Sequence, residues 1–171
     1  MLRSLAADLP IEFHSYGLYD LGPEPPLREA LVAAERLEID ISQHRARPLR
    51  GENLAVSDLV LGFERIHVAT AVVEAGALRE RTFTLPELVG LLEGAETPAA
   101  ADPVERGRLA VSAAHERRGA NAPNEVLPEI ADPWSQPNAV YAEAAHAVDV
   151  FCRRLVRQLF GDQFPPREPP R

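Results

Sequence analysis

A chain of 171 residues with 26 acidic and 18 basic side chains, a net charge of -8 and one cysteine is sized for one domain around a single core. The charge excludes a general nucleic-acid or anionic-membrane surface, because both need a basic face. The lone Cys152 excludes an intrachain disulfide framework and points to a reducing, cytoplasmic setting.

In chain order, MLRSLAADL places Leu2, Leu5 and Leu9 at helical spacing until Pro10 ends the run, so it reads as the back half of a helix. It lacks the apolar run of a secretory signal, and no stretch of the chain is long and apolar enough to span a membrane, so a soluble protein is expected. IEFHSY (11–16) alternates Ile11, Phe13 and Ser15 against Glu12, His14 and Tyr16 and predicts a strand closed by Gly17. After the stiff LGPEPP, the stripe Leu27, Leu31, Ala34, Leu37 predicts an amphipathic helix.

IDISQHRARPL (39–49) then crowds His44, Arg45 and Arg47 into four positions of an acidic chain. SDLVLGFE (57–64) has the continuous apolar centre of an interior parallel strand. A helix follows from about Arg65 to Ala75, stopped by Gly76. RTFTL (81–85) predicts a third strand, and PELVGLLE opens a further helix. Strands alternating with helices predict a parallel sheet with right-handed crossovers, an α/β fold.

GAETPAAAD (94–102) reads as a connector, residues 103–118 as a helix ending at Gly119, and the four-proline stretch 119–137 as a long irregular loop. Asn138 to about Phe160 predicts a final helix docked on the sheet, and residues 161–171 a disordered tail. The domain is thus expected over 1–160, with 94–130 as an insertion.

HSYG (14–17), DISQHRARPL followed by DLVLGFER (58–65), and ADPW (131–134) stand in an order that resembles the low-molecular-weight protein tyrosine phosphatases and their arsenate-reductase relatives. RTFTLPELVGLLE adds to the likeness. The resemblance implies a three-layer α/β/α fold with a small parallel sheet in the order 2-1-3-4. It also implies hydrolysis of phosphotyrosine through a phosphocysteine, with a C-x5-R-S loop holding phosphate at a helix N-terminus and an aspartic acid protonating the leaving group.

On this resemblance Asp132 matches the general acid, Trp134 and Tyr19 match substrate walls, and Ser15 and His44 match residues that brace the phosphate loop from behind. Each also has a plainer reading. Asp-Pro before a helix is an ordinary turn signal, Trp134 could pack on the last helix, and His44 could be a loop histidine. Arg45 and Arg47 read as surface or structural groups that bond the carbonyls at a helix C-terminus.

The central part of the pattern is missing. No C-x5-R occurs: Arg157 lies one position short of that spacing from Cys152, on a helix where no backbone nest can form. Cys152 reads as a buried structural thiol. The first strand and the phosphate loop are therefore expected to be absent from these residues, through a start set too late or through their loss. The sheet would then close up to three strands or leave edges unpaired, at a cost in stability.

The chain as it stands is expected to be inactive. The alternatives are a non-catalytic remnant serving as an interaction module, or an arsenate-reductase-like protein, which generally needs further cysteines. The resemblance implies no cofactor and no metal. The implied partner is a phosphotyrosine protein or a small phosphomonoester, with no nucleic acid and no membrane.

Overall fold

The computed structural model describes residues 1–96, 100–120 and 128–161. Its centre is a βαβ unit. β1 (Val60–Gly62) pairs in parallel with β2 (Thr82–Thr84) in the register Val60↔Thr82, Leu61↔Phe83, Gly62↔Thr84. The crossover is α3 (Arg65–Ala75) followed by one 3-10 turn, Arg79–Arg81.

Alternation along the strands divides their side chains between two cores. Val60 packs with Leu49, Leu54, Ala71 and Ala75 on the α3 side. Leu61 and Phe83 belong to the larger core on the other side. That core is built from α1 (Leu2–Leu5), α4 (Leu85–Leu92), α5 (Pro103–Ala120) and α6 (Asn138–Phe160), and α2 (Arg28–Glu35) packs along α6. The result is a three-layer α/β/α arrangement around a small parallel sheet.

Local signals explain the helix ends. Gly76 takes φ +67 and donates its N–H to Ala71 O, which also accepts from Ala77 N at 3.0 Å, so α3 closes on a left-handed residue and a 6→1 bond from Gly76. α4 starts where Thr84 Oγ1 accepts from Glu87 N (3.2 Å) and the Glu87 carboxylate accepts from Thr84 N (3.1 Å), with Pro86 in the first turn. α2 stops at the left-handed Glu38, φ 58.

The expectations for the 11–16 strand, the N-terminal helix and the end of α5 are corrected. The predicted strand 11–16 forms no ladder among the described residues. Its apolar alternation survives, with Ile11 and Phe13 packed against the larger core, yet its backbone finds other partners: Phe13 O accepts from the Arg3 guanidinium at 2.6 Å. Pairing begins only at Gly17, which bridges Pro48 through Gly17 N to Arg47 O and Leu49 N to Gly17 O, both 2.8 Å.

Among the described residues the sheet therefore has two strands, the outcome with unpaired edges and not closure to three. The alternation encoded which side chains turn inward, but a ladder also needs a neighbouring backbone at bonding distance. The N-terminal helix is likewise only Leu2–Leu5, too short to hold itself without packing. α5 continues one residue past Gly119. Of the predicted tail 161–171, Gly161 caps α6 and the rest lies outside the described residues.

Candidate functional site

The carboxyl ends of β1 and β2 are crossed by residues 128–130, each anchored to a different element. Pro128 O accepts from Thr84 Oγ1 at 3.0 Å, at the end of β2. Glu129 Oε1 accepts from both Arg65 N and Arg65 Nε, the latter at 3.2 Å, at the start of α3. Ile130 N donates to Phe63 O at 2.9 Å, just past β1, and the Ile130 side chain is buried in the larger core. In open parallel sheets the carboxyl ends of the strands are where ligands are bound, so the segment that follows stands in a favourable place.

That segment is Asp132-Pro133-Trp134. Asp132 Oδ1 accepts from Trp134 N at 3.0 Å, an Asx turn. Gln136 N donates to Pro133 O at 2.9 Å while Ser135 takes φ 60, and α6 begins at Asn138. The Asp132 carboxylate is exposed, and Trp134 is 56% exposed. Trp134 is therefore not part of either core.

The other matched residues lie on different segments. Ser15 is on the unpaired 11–16 run and His44 on the basic loop, and both are exposed. The Gly17–Pro48 bridge brings their segments side by side, but no hydrogen bond joins the two side chains. Tyr19 is 77% exposed. Among the described residues no hydrogen bond or ring contact draws it to Trp134, so neither pair is assembled as a unit.

Arg45 is satisfied by its own loop and Arg47 by the neighbouring 11–16 run. Arg45 Nη1 donates to Ser42 O (2.9 Å) and His44 O (2.7 Å), and the Arg47 guanidinium lies 4.8 Å from the centre of the Tyr16 ring. Asp40 accepts from Ser42 N at 2.8 Å, and this backbone bond, with the Ser42 hydroxyl, holds its carboxyl below the ordinary range. Arg45 does bond carbonyls, but those of its own loop and not of a helix end.

Cys152 is buried, and burial pushes its thiol up to about 12. Of the arginines that follow it, Arg153 pairs with Asp149 at 2.8 Å and Arg154 with Glu93 at 3.0 Å. This cysteine is no activated nucleophile. Among the described residues no group of three or more His, Cys, Asp or Glu gathers to hold a metal, and no helix is long and apolar enough to cross a membrane.

Sequence reasoning missed Glu129, Arg65 and the Thr84–Glu87 pair. The last was legible as a T-x-x-E capping box. The first two are 64 residues apart, and no local pattern joins them.

No protein-family model and no curated protein matches the chain. A solved structure that does match is the low molecular weight protein tyrosine phosphatase from T. tengcongensis, with a TM-score of 0.59 over 84% of this chain and 75% of that one. The two are 23% identical, so the likeness is one of fold.

Proposed function

We propose that this chain is a low-molecular-weight tyrosine-phosphatase-like scaffold that carries the acid side of phosphomonoester hydrolysis, with phosphotyrosine protein or a small aryl phosphate as substrate. The observation that carries the reading is the Asp132-Pro133-Trp134 turn, held across the carboxyl ends of two parallel strands by residues 128–130. Asp132, on that turn, is the general acid. Trp134 and Tyr19 are the walls for a flat ring. Ser15 and His44 brace a phosphate loop that these 171 residues do not contain.

In this reading the sheet order is 2-1-3-4, with the 11–16 run, β1 and β2 as strands 2, 3 and 4. The position between the 11–16 run and β1 belongs to the strand that leads into the phosphate loop. Asp132 gives its proton to the departing phenolate oxygen as the P–O bond breaks and a cysteine sulfur bonds to phosphorus. The resulting carboxylate then takes a proton from the water that releases phosphate. Cys152, buried and protonated, has no part in this.

The 171-residue chain is therefore expected to show no vanadate-sensitive turnover of p-nitrophenyl phosphate, and measurable turnover would overturn the proposal. The codons upstream of Met1 provide the second arm. If they run in frame through a C-x5-R-S loop, the extended chain is expected to be active. Asp132→Asn should then lower turnover of phenyl phosphate by about 10²-fold or more, the contribution typical of a positioned acid, and less for the better p-nitrophenol leaving group. Unchanged phenyl phosphate turnover would remove the acid role. A stop codon would instead favour the interaction module, which the absence of any activated nucleophile also suits. An arsenate reductase is disfavoured by the single cysteine.

A further inference from the structure

The first-turn N–H groups of a helix have no partner inside it. In α3 the N-cap Glu64 and His67 satisfy one another in a capping box: the Glu64 side chain accepts from His67 N, and His67 Nδ1 accepts from Glu64 N at 3.0 Å. The N–H of Arg65, the first residue of the helix, goes instead to Glu129 from across the molecule. The same carboxylate takes Arg65 Nε, so both the positive helix end and a guanidinium face it.

Glu129 is flanked by residues held through other bonds, Pro128 to Thr84 Oγ1 and Ile130 to Phe63 O. Its own carboxylate is the side chain that ties this triplet to α3, and Asp132 begins only two residues beyond Ile130. We infer that Glu129 is a positioning residue: its carboxylate latches the 128–136 segment to the first turn of α3 and so sets where Asp132 and Trp134 stand. The consequence for catalysis rests on the proposed acid role of Asp132, but the latch itself does not. The Glu129 carboxyl is held below its ordinary range, chiefly by the Arg65 backbone N–H and further by the Arg65 guanidinium, so the latch is ionised and closed at neutral pH.

Trp134, the one tryptophan of the chain, reports directly on this segment. In the full 171-residue protein, Glu129→Ala is expected to lower Trp134 fluorescence anisotropy and to speed hydrogen exchange of the Ile130 amide by about tenfold through local opening, with far-UV circular dichroism unchanged. Glu129→Gln keeps an acceptor oxygen for Arg65 N and is expected to stay near wild type. Glu129→Asp keeps the charge but not the reach, and is expected to loosen the loop like alanine. If the alanine variant does not fold, this last pair carries the test.

Arg154→Ala, which removes a surface pair with Glu93 elsewhere, is the control and should leave both signals alone. Unaltered anisotropy and exchange in folded Glu129→Ala, or equal changes in Arg154→Ala, would overturn the latch. Either result would leave the acid role standing, whereas an active chain indifferent to Asp132→Asn would remove the acid role and leave the latch.

Discussion

Gly62 sits where β1 passes under the first turn of α3, and a Cβ there would meet His67 Cβ at 2.7 Å, Glu64 O at 3.2 Å and Val68 N at 3.3 Å. The nearest atom belongs to the root of a side chain and the others to backbone, so none can swing aside. Gly62→Ala is expected to destabilise the protein by about 1–3 kcal/mol, the usual range for overpacking. Gly90, inside α4 with open space around its missing Cβ, should respond the other way, and alanine there should stabilise by about 0.5–1 kcal/mol. Paired thermal melts decide both, and a stabilised Gly62→Ala would mean that the strand and helix are not in this close contact.

Cys152 gives a second residue-scale test. With its thiol raised to about 12 and buried, it stays protonated at neutral pH. Iodoacetamide should therefore label it only on unfolding; rapid labelling of the native protein at pH 8 would contradict its burial. That it was structural was readable from its helical surroundings in the sequence. That Arg45 would bond carbonyls of its own loop and not of a helix end was not, because a composition count does not say which carbonyls lie within reach.

Among the elements, α5 is joined to the sheet by one polar clamp. Arg118 donates to the Glu87 carboxylate at 2.8 Å, to Thr82 O at 2.8 Å and to Arg79 O at 3.0 Å, and its guanidinium lies 3.7 Å from the centre of the Phe83 ring. Glu87 meanwhile caps α4. The side chains are 3% and 14% exposed, so removing one leaves the other buried without its charge partner. Burial alone already draws Arg118 below its ordinary value, and Glu87 works against that. Glu87→Ala is expected to cost about 3–5 kcal/mol, and the double change with Arg118→Met clearly less than the sum of the two single changes. Additive losses in denaturant titrations would show that the clamp does not act as a pair. The ranges of α3 and α6 were legible because Gly76 and Pro137 punctuate them. The partner of α5 was not, since Glu87 and Arg118 are 31 residues apart and each looks like an ordinary surface charge in the sequence.

For the molecule as a whole, the outer edge of β1 has no ladder partner among the described residues, and the 11–16 run packs its apolar side chains without pairing its backbone. Unpaired edges weaken a small sheet and invite association. The 171-residue chain is expected to melt below about 45 °C, under the usual range of mesophile domains, and to associate as its concentration rises. A cooperative, concentration-independent transition above about 65 °C would show that two strands suffice. By itself the sequence determined the alternation of strands and helices, the helix caps and the inward-facing side chains, because each rests on periodicity or on bonds within a few residues. It also placed Asp132, Pro133 and Trp134 together as neighbours in the chain. Only the tertiary structure decided that the 11–16 run forms no ladder among the described residues, that Glu87 meets Arg118, and that Glu129 reaches Arg65. Those outcomes depend on which distant backbones come within bonding distance, and no local pattern encodes that distance.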